Sequence, residues 1–165
     1  MKNRRSETAK PRTGETASTP RPARRSLAIE LLRAREAVMS HFRPILAAHD
    51  VSEQQWRVIR VLSEEGTLDA TEVAEKAFIL PPSLTRMIRS LEERGFITRQ
   101  KDEADGRRVL LRLAPSGQAV IDAVMPHSLR AYAEIDARFG AERRERLLEL
   151  LGELAALKAD RPASE

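Results

Sequence analysis

The side chains with the clearest chemistry follow a pair of prolines, Pro81 and Pro82, on a short predicted helix. Apolar residues recur there at helical spacing, which leaves hydroxyl and guanidinium groups on the opposite face. An arginine can donate two hydrogen bonds to one guanine, and Ser or Thr hydroxyls can reach base edges or phosphates. The polar face is therefore suited to reading the major groove of DNA, with an ordinary solvated helix face as the alternative. The residues with this predicted role are Pro82, Ser83, Thr85, Arg86 and Arg89.

A predicted β-hairpin follows this helix, with strands over residues 96–101 and 109–113. The second strand alternates apolar and polar residues, as a strand with one buried face does, and the loop between the strands is basic and polar. Arg107 is placed to enter a minor groove or hold a phosphate, with Asp105 orienting it, and Arg108 is expected to contact a phosphate. The alternative for Arg107 is a salt bridge within the hairpin.

Capping signals indicate the helices that hold this polar helix and hairpin in place. Residues 52–55 and 69–72 both have the pattern of a capping box, and Gly66 is expected to end a helix. Because proline is unfavourable inside a helix, the first helix should kink or end its regular part at Pro44, and the fifth should be interrupted near Pro126. The predicted elements are helices over residues 26–48, 53–64, 70–77 and 81–94, a short edge strand at 67–68, the two hairpin strands, and helices over 115–138 and 142–158.

The order of these elements predicts a mainly α fold with a small β-hairpin wing. A winged helix-turn-helix unit over residues 52–113 would be flanked by an N-terminal helix, 26–48, and by C-terminal helices within 114–160. Both flanking regions carry broad apolar stripes that one chain has too little surface to cover, so we expect a homodimer in which they are the dimerisation helices. The stripe on the last helix consists of Leu147, Leu150, Leu151, Leu154 and Leu157.

The charge distribution separates a basic tail from the rest of the chain. Of the 29 Lys and Arg residues, eight lie in residues 1–25, which hold only two of the 25 Asp and Glu residues. The rest of the chain is therefore slightly acidic, and DNA binding has to be argued from local clustering rather than from the net charge of +4. The tail is rich in Arg, Thr, Ser and Pro, so we expect it to be disordered and either to attract phosphates non-specifically or to have no role.

Several classes of function are disfavoured by what the sequence lacks. There is no cysteine, no apolar run near the ~20 residues of a membrane span, and no signal peptide, which predicts a cytoplasmic protein with no membrane partner. Neither a glycine-rich phosphate loop nor a G-x-S-x-G elbow occurs, and His41, His49 and His127 lack the spacing of metal ligands. We therefore expect no enzymatic activity, no cofactor and no metal.

A second group of residues has the chemistry to bind a small organic acid. Arginine beside aromatic surface suits an aromatic carboxylate, because the guanidinium can hold the carboxylate while the rings pack together. Core packing combined with an interface ion pair explains the same residues equally well. The candidates are Arg35, Met39, Phe42 and Arg43 on one face of the first helix, and Trp56 and Arg60 one turn apart on the second.

The order of elements resembles that of the MarR family of dimeric bacterial transcription regulators over about residues 26–158. The likeness rests on Leu91-Glu-Glu-Arg-Gly95 and Asp105-Gly-Arg107. The chain is more narrowly similar to the subfamily that regulates homoprotocatechuate (4-hydroxyphenylacetate) degradation, through Ala34-Arg-Glu-Ala37, Phe42-Arg-Pro44, Gln54-Gln-Trp-Arg-Val-Ile-Arg60 and Asp105-Gly-Arg-Arg108. Two departures are Ala114, where a Thr or Ser cap commonly precedes the fifth helix, and Gly106, where the wing frequently has a longer polar residue.

This resemblance implies a homodimer that reads a pseudo-palindromic operator in double-stranded DNA, with its two fourth helices in successive major grooves. It also implies an aromatic acid bound between the dimerisation helices and the second helix, which releases DNA, and hence a repressor of an aromatic-compound catabolic operon. A winged-helix module that binds protein and a sequence-indifferent architectural DNA binder are the alternatives. The arginines of the fourth helix and the wing favour DNA over protein as the partner.

Overall fold

The computed structural model describes residues 26–102, Asp105 and residues 108–157. The predicted tail, residues 1–25, and the predicted groove contact Arg107 lie outside the described residues. In chain order the elements are α1 (Leu27–Ala48), α2 (Glu53–Glu65), β1 (Leu68–Asp69), α3 (Ala70–Ala77), α4 (Pro81–Glu93), β2 (Ile97–Lys101), β3 (Val109–Leu113), α5 (Pro115–Phe139) and α6 (Ala141–Ala156). We call the part from α2 to β3 the reading unit (residues 53–113).

Two capping boxes set the start of helices in the reading unit. At α2, the Ser52 hydroxyl accepts a hydrogen bond from the Gln55 amide at 3.1 Å, and the Gln55 side chain accepts one from the Ser52 amide at 2.9 Å. Asp69 and Glu72 form the same reciprocal pair at the start of α3, at 2.9 and 2.8 Å. Gly66, at φ 83°, ends α2. Both boxes and this helix end confirm the predictions.

The three strands form one antiparallel sheet in the order β1-β3-β2. Leu68 pairs with Leu111, which places the edge strand one residue later than predicted, and Ile97 pairs with Leu113 along the hairpin. Ile97 and Leu111 are fully buried on the inner face. The register therefore fixes the wing against the helices through its buried face. The predicted alternation of β3 is confirmed in part, because Leu111 is buried and Leu113 half-buried, whereas Val109 is exposed.

The core lies beneath α4 and the sheet. Its best-buried members include Val58 of α2, Val73 of α3 and Leu91 of α4, each with no exposed surface. Val124 of α5 and Leu46 of α1 join the same cluster. Burying a side chain of this size removes it from water at a gain of about 1.5–3 kcal/mol, so the core holds α4 in a fixed position relative to the wing.

Helix α5 runs unbroken through Pro126, so the predicted interruption there is wrong. Helix α1 likewise continues past Pro44 to Ala48 rather than ending at the proline. A proline removes one helical hydrogen bond and crowds the preceding turn. On either side of Pro126, however, Val124 and Ala131 are buried. Packing on both sides holds the helix, because tertiary contacts contribute more to helical stability than local preference does.

The outer helices expose the apolar stripes that the sequence contains. No residue of α6 is buried among those that the structure describes, and Leu150 is 46% exposed. On α1, Leu27 and Leu32 are also exposed. None of the helices in the described ranges combines the length and the apolar character needed to cross a membrane.

Candidate DNA-reading and effector sites

Helix α4 presents a polar face because its apolar face is committed to the core. Leu84, Ile88 and Leu91 are buried at helical spacing, which turns Thr85 and Arg86 outward. Arg89 is exposed, and the predicted contact residue Ser83 is half-buried at the helix start. Pro81 and Pro82 occupy the first turn, where a missing N–H is tolerated. The structure thus brings the predicted α4 residues to one exposed face.

Arg86 differs from the other arginines of this face in having no protein partner among the described residues. It lines an open cleft of about 360 Å³ with Ser83 of α4 and with Ser52 and Gln55 at the start of α2. Its five donors are available to an incoming acceptor. Arg89, in contrast, donates from Nε to Glu93 at 2.9 Å, one turn along α4. An exposed pair of this kind is weak, so Arg89 can exchange its partner for a phosphate.

Arg108 ties the base of the wing to the start of α3. Its Nη2 lies 2.5 Å from an Asp69 carboxylate oxygen and 3.7 Å from Glu72, and its Nη1 lies 4.0 Å from Asp102. The pKa of Asp69 lies below its usual range, first because the Glu72 amide donates to it and second because Arg108 does. The sequence predicted a phosphate contact for Arg108 and did not predict this ion pair with the start of α3. The predicted phosphate role of Arg108 would require it to leave these carboxylates or to share them.

Two further arginines brace the other side of the hairpin. Arg94 donates to the Asp50 carbonyl at 2.7 Å and lies over the Phe96 ring, 4.5 Å from its centroid. Arg99 of β2 pairs with Glu92 of α4 at 2.9 Å. Arg99 thus links α4 to the strand that follows it, whereas Arg94 links the end of α4 to the turn before α2. They position the reading face rather than forming part of it.

The predicted acid-binding residues on α1 meet α2 at a single carboxylate. Glu53, the first residue of α2, accepts hydrogen bonds from Arg35 and, at 2.5 Å, from Nε of Arg43. Arg43 also forms a two-point contact with Glu36. Burial raises the pKa of Glu53, but the hydrogen bonds from Arg43 and Arg35 outweigh it, so the pKa lies below its usual value. Glu53 is therefore ionised, and together with Glu36 it balances the charges of the two arginines.

Aromatic side chains adjoin this cluster. Phe42 is buried on α1 and packs against Tyr132 of α5, with ring centroids 4.9 Å apart at 57°. Met39 and Trp56 are both partly buried, and Trp56 packs against the core. Arg60 pairs with Glu64 one turn further along α2. Sequence reasoning missed Tyr132 because only the long-range packing of α1 on α5 brings it to Phe42.

The fold and the exposed face of α4 are those of a winged helix-turn-helix DNA-binding protein. Among the described residues, no group of His, Cys, Asp and Glu side chains is arranged to hold a metal ion. A sequence profile for the MarR family matches residues 51–109. The chain is also 42% identical over 132 residues to the homoprotocatechuate degradative operon repressor of Escherichia coli, which covers 80% of this chain and 89% of that protein.

Two solved structures are similar to this chain. The crystal structure of NadR in complex with 4-hydroxyphenylacetate has a TM-score of 0.74 and 39% identity, and covers 85% of this chain and 99% of that one. The transcriptional repressor CouR bound to a 23-mer DNA duplex has a TM-score of 0.73 and 27% identity, and covers 79% and 92%. The chain belongs to the MarR family. It is a transcriptional regulator and not an enzyme.

Proposed function

We propose that this protein is a homodimeric repressor of an operon for the breakdown of an aromatic compound, and that a small aromatic carboxylic acid releases it from a pseudo-palindromic operator. Winged-helix dimers of this kind dock one helix per half-site into the major groove. A protein with this role works on the chromosome, so we place it in the cytoplasm. The repressor relative from Escherichia coli and the NadR complex support the chemical class of operon and effector.

The observation that carries the proposal is that one short helix, α2, begins between two arginine sites. On one side, Glu53 is held by Arg35 and Arg43 of α1. On the other, Gln55 donates to Ser90 of α4 at 3.4 Å and lines the cleft that contains Arg86. A change at the first site therefore has a direct physical route to the face proposed to read DNA.

At the DNA site, Arg86 is proposed to donate to a base edge, with Ser83 and Thr85 reaching bases or phosphates from the same face. Pro82 and Arg89 are proposed to contact the backbone there. The wing residues Arg107 and Arg108 are proposed to hold phosphates beside the groove. Of these, Arg107 is assigned from its sequence position alone.

At the effector site, we propose that the acid's carboxylate competes with Glu53 for Arg35 and Arg43. Its ring would pack beside Phe42, Met39 and Trp56, with Arg60 at the far end of the same α2 face. Release of Glu53 loosens the contact between α1 and the start of α2. The acid needs only to favour the arrangement that misfits the two grooves, and a few kcal/mol of differential affinity is enough to release DNA.

The domain assignment follows the same division. We propose that residues 52–113 read DNA, that 26–48 and 114–160 dimerise, and that the basic tail 1–25 contributes at most salt-sensitive affinity.

A winged-helix module that binds protein has no need of exposed arginines on both α4 and the wing. An architectural DNA binder has no need of an unpaired arginine in a cleft beside its recognition helix, since phosphate contacts alone carry no sequence information.

The test combines operator selection with an effector titration. The purified full-length protein is used to select duplexes from a random library, and the preferred duplex is then titrated with homoprotocatechuate, 4-hydroxyphenylacetate and salicylate. Trp56 is the only tryptophan, so its fluorescence reports directly on the proposed effector site. We expect saturable quenching by the acid that also releases DNA most effectively. A broad panel of aromatic acids that changes neither signal would contradict the effector assignment.

A matched pair of variants on α1 sharpens this titration. Arg43→Gln removes a guanidinium from the cluster on Glu53 and should weaken both quenching and release. Arg33→Gln removes an exposed guanidinium of the same helix, which pairs with Glu30 at 3.3 Å, and should leave both unchanged. If the two variants show equal quenching and equal release of DNA, Arg43 has only a structural role in its ion pairs.

A further inference from the structure

The turn between α3 and α4 departs from local preference twice within three residues. Phe78 follows α3 at φ 51° and ψ 52°, in the left-handed region that Gly or Asn normally occupies at a helix end. Leu80 is the N-cap of α4 and makes no side-chain capping bond, whereas Ser, Thr, Asp or Asn would. Local stability therefore explains neither side chain.

Burial does not explain these two side chains either. Phe78 is 86% exposed and Leu80 is 76% exposed, the two highest values among the large apolar side chains that the structure describes. Ile79 between them is buried and anchors the turn in the core. Both residues belong to the α3–α4 turn and not to the helices proposed to dimerise, so a second copy of the chain is not the expected cover.

The backbone of this turn is nevertheless firmly held. The Ile79 amide donates to the Ala74 carbonyl at 3.0 Å, and the Phe78 amide donates to the Glu75 carbonyl at 3.2 Å. From α2, Nη1 of Arg57 donates to the Phe78 carbonyl at 3.3 Å. Backbone strain that the surrounding structure maintains, at a residue with an exposed side chain, points to a functional cause.

The start of α4 is also unusual in offering almost no hydrogen-bond donors. Pro81 and Pro82 have no amide hydrogen, and the Ser83 amide donates to the Leu80 carbonyl at 3.0 Å. Free amides are what make a helix N-terminus attractive to phosphate, so this end is suited to an apolar partner. In helix-turn-helix proteins the N-terminal residues of the second helix contact base edges. The apolar group exposed on base edges in the major groove is the thymine C5-methyl.

We propose that Phe78 and Leu80 form a thymine-reading patch, which packs against C5-methyl groups at the edge of each half-site that α4 enters. The inference rests on the proposed DNA-reading function and adds a base preference beside the arginine contacts. Arg57 is a positioning residue, because it holds the carbonyl of the strained residue and leaves the ring free. Leu80 is the N-cap of α4, one helical turn before Ser83, which lines the cleft that contains Arg86.

The test uses the duplex that the full-length protein selects, with each thymine replaced in turn by deoxyuridine, which lacks only the methyl group. At one or two positions in each half-site, we expect this replacement to weaken wild-type binding about fourfold, the factor that burial of one methyl group is worth. Phe78→Asn and Leu80→Ser should also weaken binding to the thymine duplex. At the same positions, these variants should no longer distinguish thymine from deoxyuridine.

Thermal stability and conservative variants separate contact from folding. Asn suits the left-handed conformation and Ser suits the N-cap, so both variants should melt no lower than wild type. Leu80→Met and Phe78→Leu keep an apolar surface and should retain most of the discrimination. The proposal is overturned if Phe78→Asn and Leu80→Ser bind every duplex with the affinity of wild type. It is also overturned if their affinity drops on deoxyuridine replacement as much as that of wild type, or if they lose thermal stability and DNA affinity together. If the wild-type protein selects no duplex from the library, the proposed function is also contradicted. This outcome is seen before any deoxyuridine duplex is tested, so it is distinguishable from failure of the thymine proposal alone.

Discussion

The reading unit and the flanking helices treat their apolar residues in opposite ways. In the reading unit, Val58, Val73 and Leu91 are sealed from solvent within one chain. In α6 no described residue is buried, and the leucine stripe faces outward, as does Leu32 on α1. Exposed apolar side chains that recur along one helix face favour a protein interface. One half of the molecule is thus complete by itself, whereas the other requires a second chain.

This difference indicates how the two halves divide the work. A closed core keeps α4 and the wing at a fixed spacing within one chain. The spacing between two copies of α4 is instead set by the helices that pair across the dimer. An effector that binds at the junction of α1 and α2 can therefore change the distance between the two reading units of a dimer without unfolding either unit.

The largest expected effect comes from placing charge in the exposed leucine stripe. Leu150→Glu combined with Leu154→Glu should weaken dimerisation by at least about 4 kcal/mol, because two carboxylates without partners would be buried. Sedimentation equilibrium should show monomers at concentrations where the wild type is dimeric. Operator affinity should fall with it, because one half-site offers half of the contacts. The control Glu153→Arg changes an exposed residue of the same helix and should remain dimeric; a dimeric leucine variant that still binds tightly would assign this stripe another partner.

A smaller effect is expected from substitutions on the exposed face of α4 in the reading unit. Arg86→Ala should cost about 1–3 kcal/mol of operator affinity and relax the preference at one base pair in each half-site. Arg89→Ala should weaken binding less, uniformly across sequences, and should flatten the dependence on salt. Binding titrations against single-base operator variants at two salt concentrations distinguish the two patterns. If both variants lose affinity uniformly, Arg86 is a phosphate contact and not a base reader.

The sequence predicted the reading unit well because its signals are local. The two capping boxes and Gly66 each act within a few residues, and each is where the pattern placed it. The strand β3 has the predicted bounds, but of its alternating apolar residues only Leu111 is buried. Pro126 shows the opposite case, since the local signal favours a break and the packing of α5 keeps the helix continuous. Helix boundaries that depend on tertiary contacts cannot be read from a window of neighbouring residues.

The candidate sites divide in the same way. The outward face of α4 follows from helical period alone, because burial of the apolar positions dictates which side chains are exposed. The cluster around Glu53 joins Arg35 and Arg43 to a residue on another helix, and Tyr132 reaches Phe42 from α5. Such contacts depend on how helices cross. The arginines could therefore be singled out by chemistry, whereas their actual partner could not.

The smallest expected effect concerns the tie between the wing and α3. Asp69→Ala should destabilise the protein by about 1 kcal/mol through loss of the N-cap. Asp69→Asn keeps a capping oxygen but loses the charge that strengthens both the hydrogen bond from the Glu72 amide and the ion pair with Arg108. The pKa of Asp69 is lower in the folded protein than its ordinary value of 3.8. The charged carboxylate therefore stabilises the folded state above pH 3.8, and this stabilisation is lost as the pH falls through the lower pKa of the folded state. In urea unfolding, wild type and Asp69→Asn should differ near neutral pH and converge in acid. A constant difference at all pH values would mean that the charge of Asp69 does not contribute to folding.

If helices that only a dimer can cover hold two reading units at a fixed spacing, binding must depend on the spacing of the half-sites. Changing that spacing in the selected operator separates a fixed dimer from two independent units. Inserting about 5 base pairs, half a helical turn, places one half-site on the opposite side of the DNA. Binding of the full-length protein to this duplex should fall to the affinity measured for a single half-site. Affinity that does not change with the insertion would contradict the account, because it would mean that the two reading units bind independently.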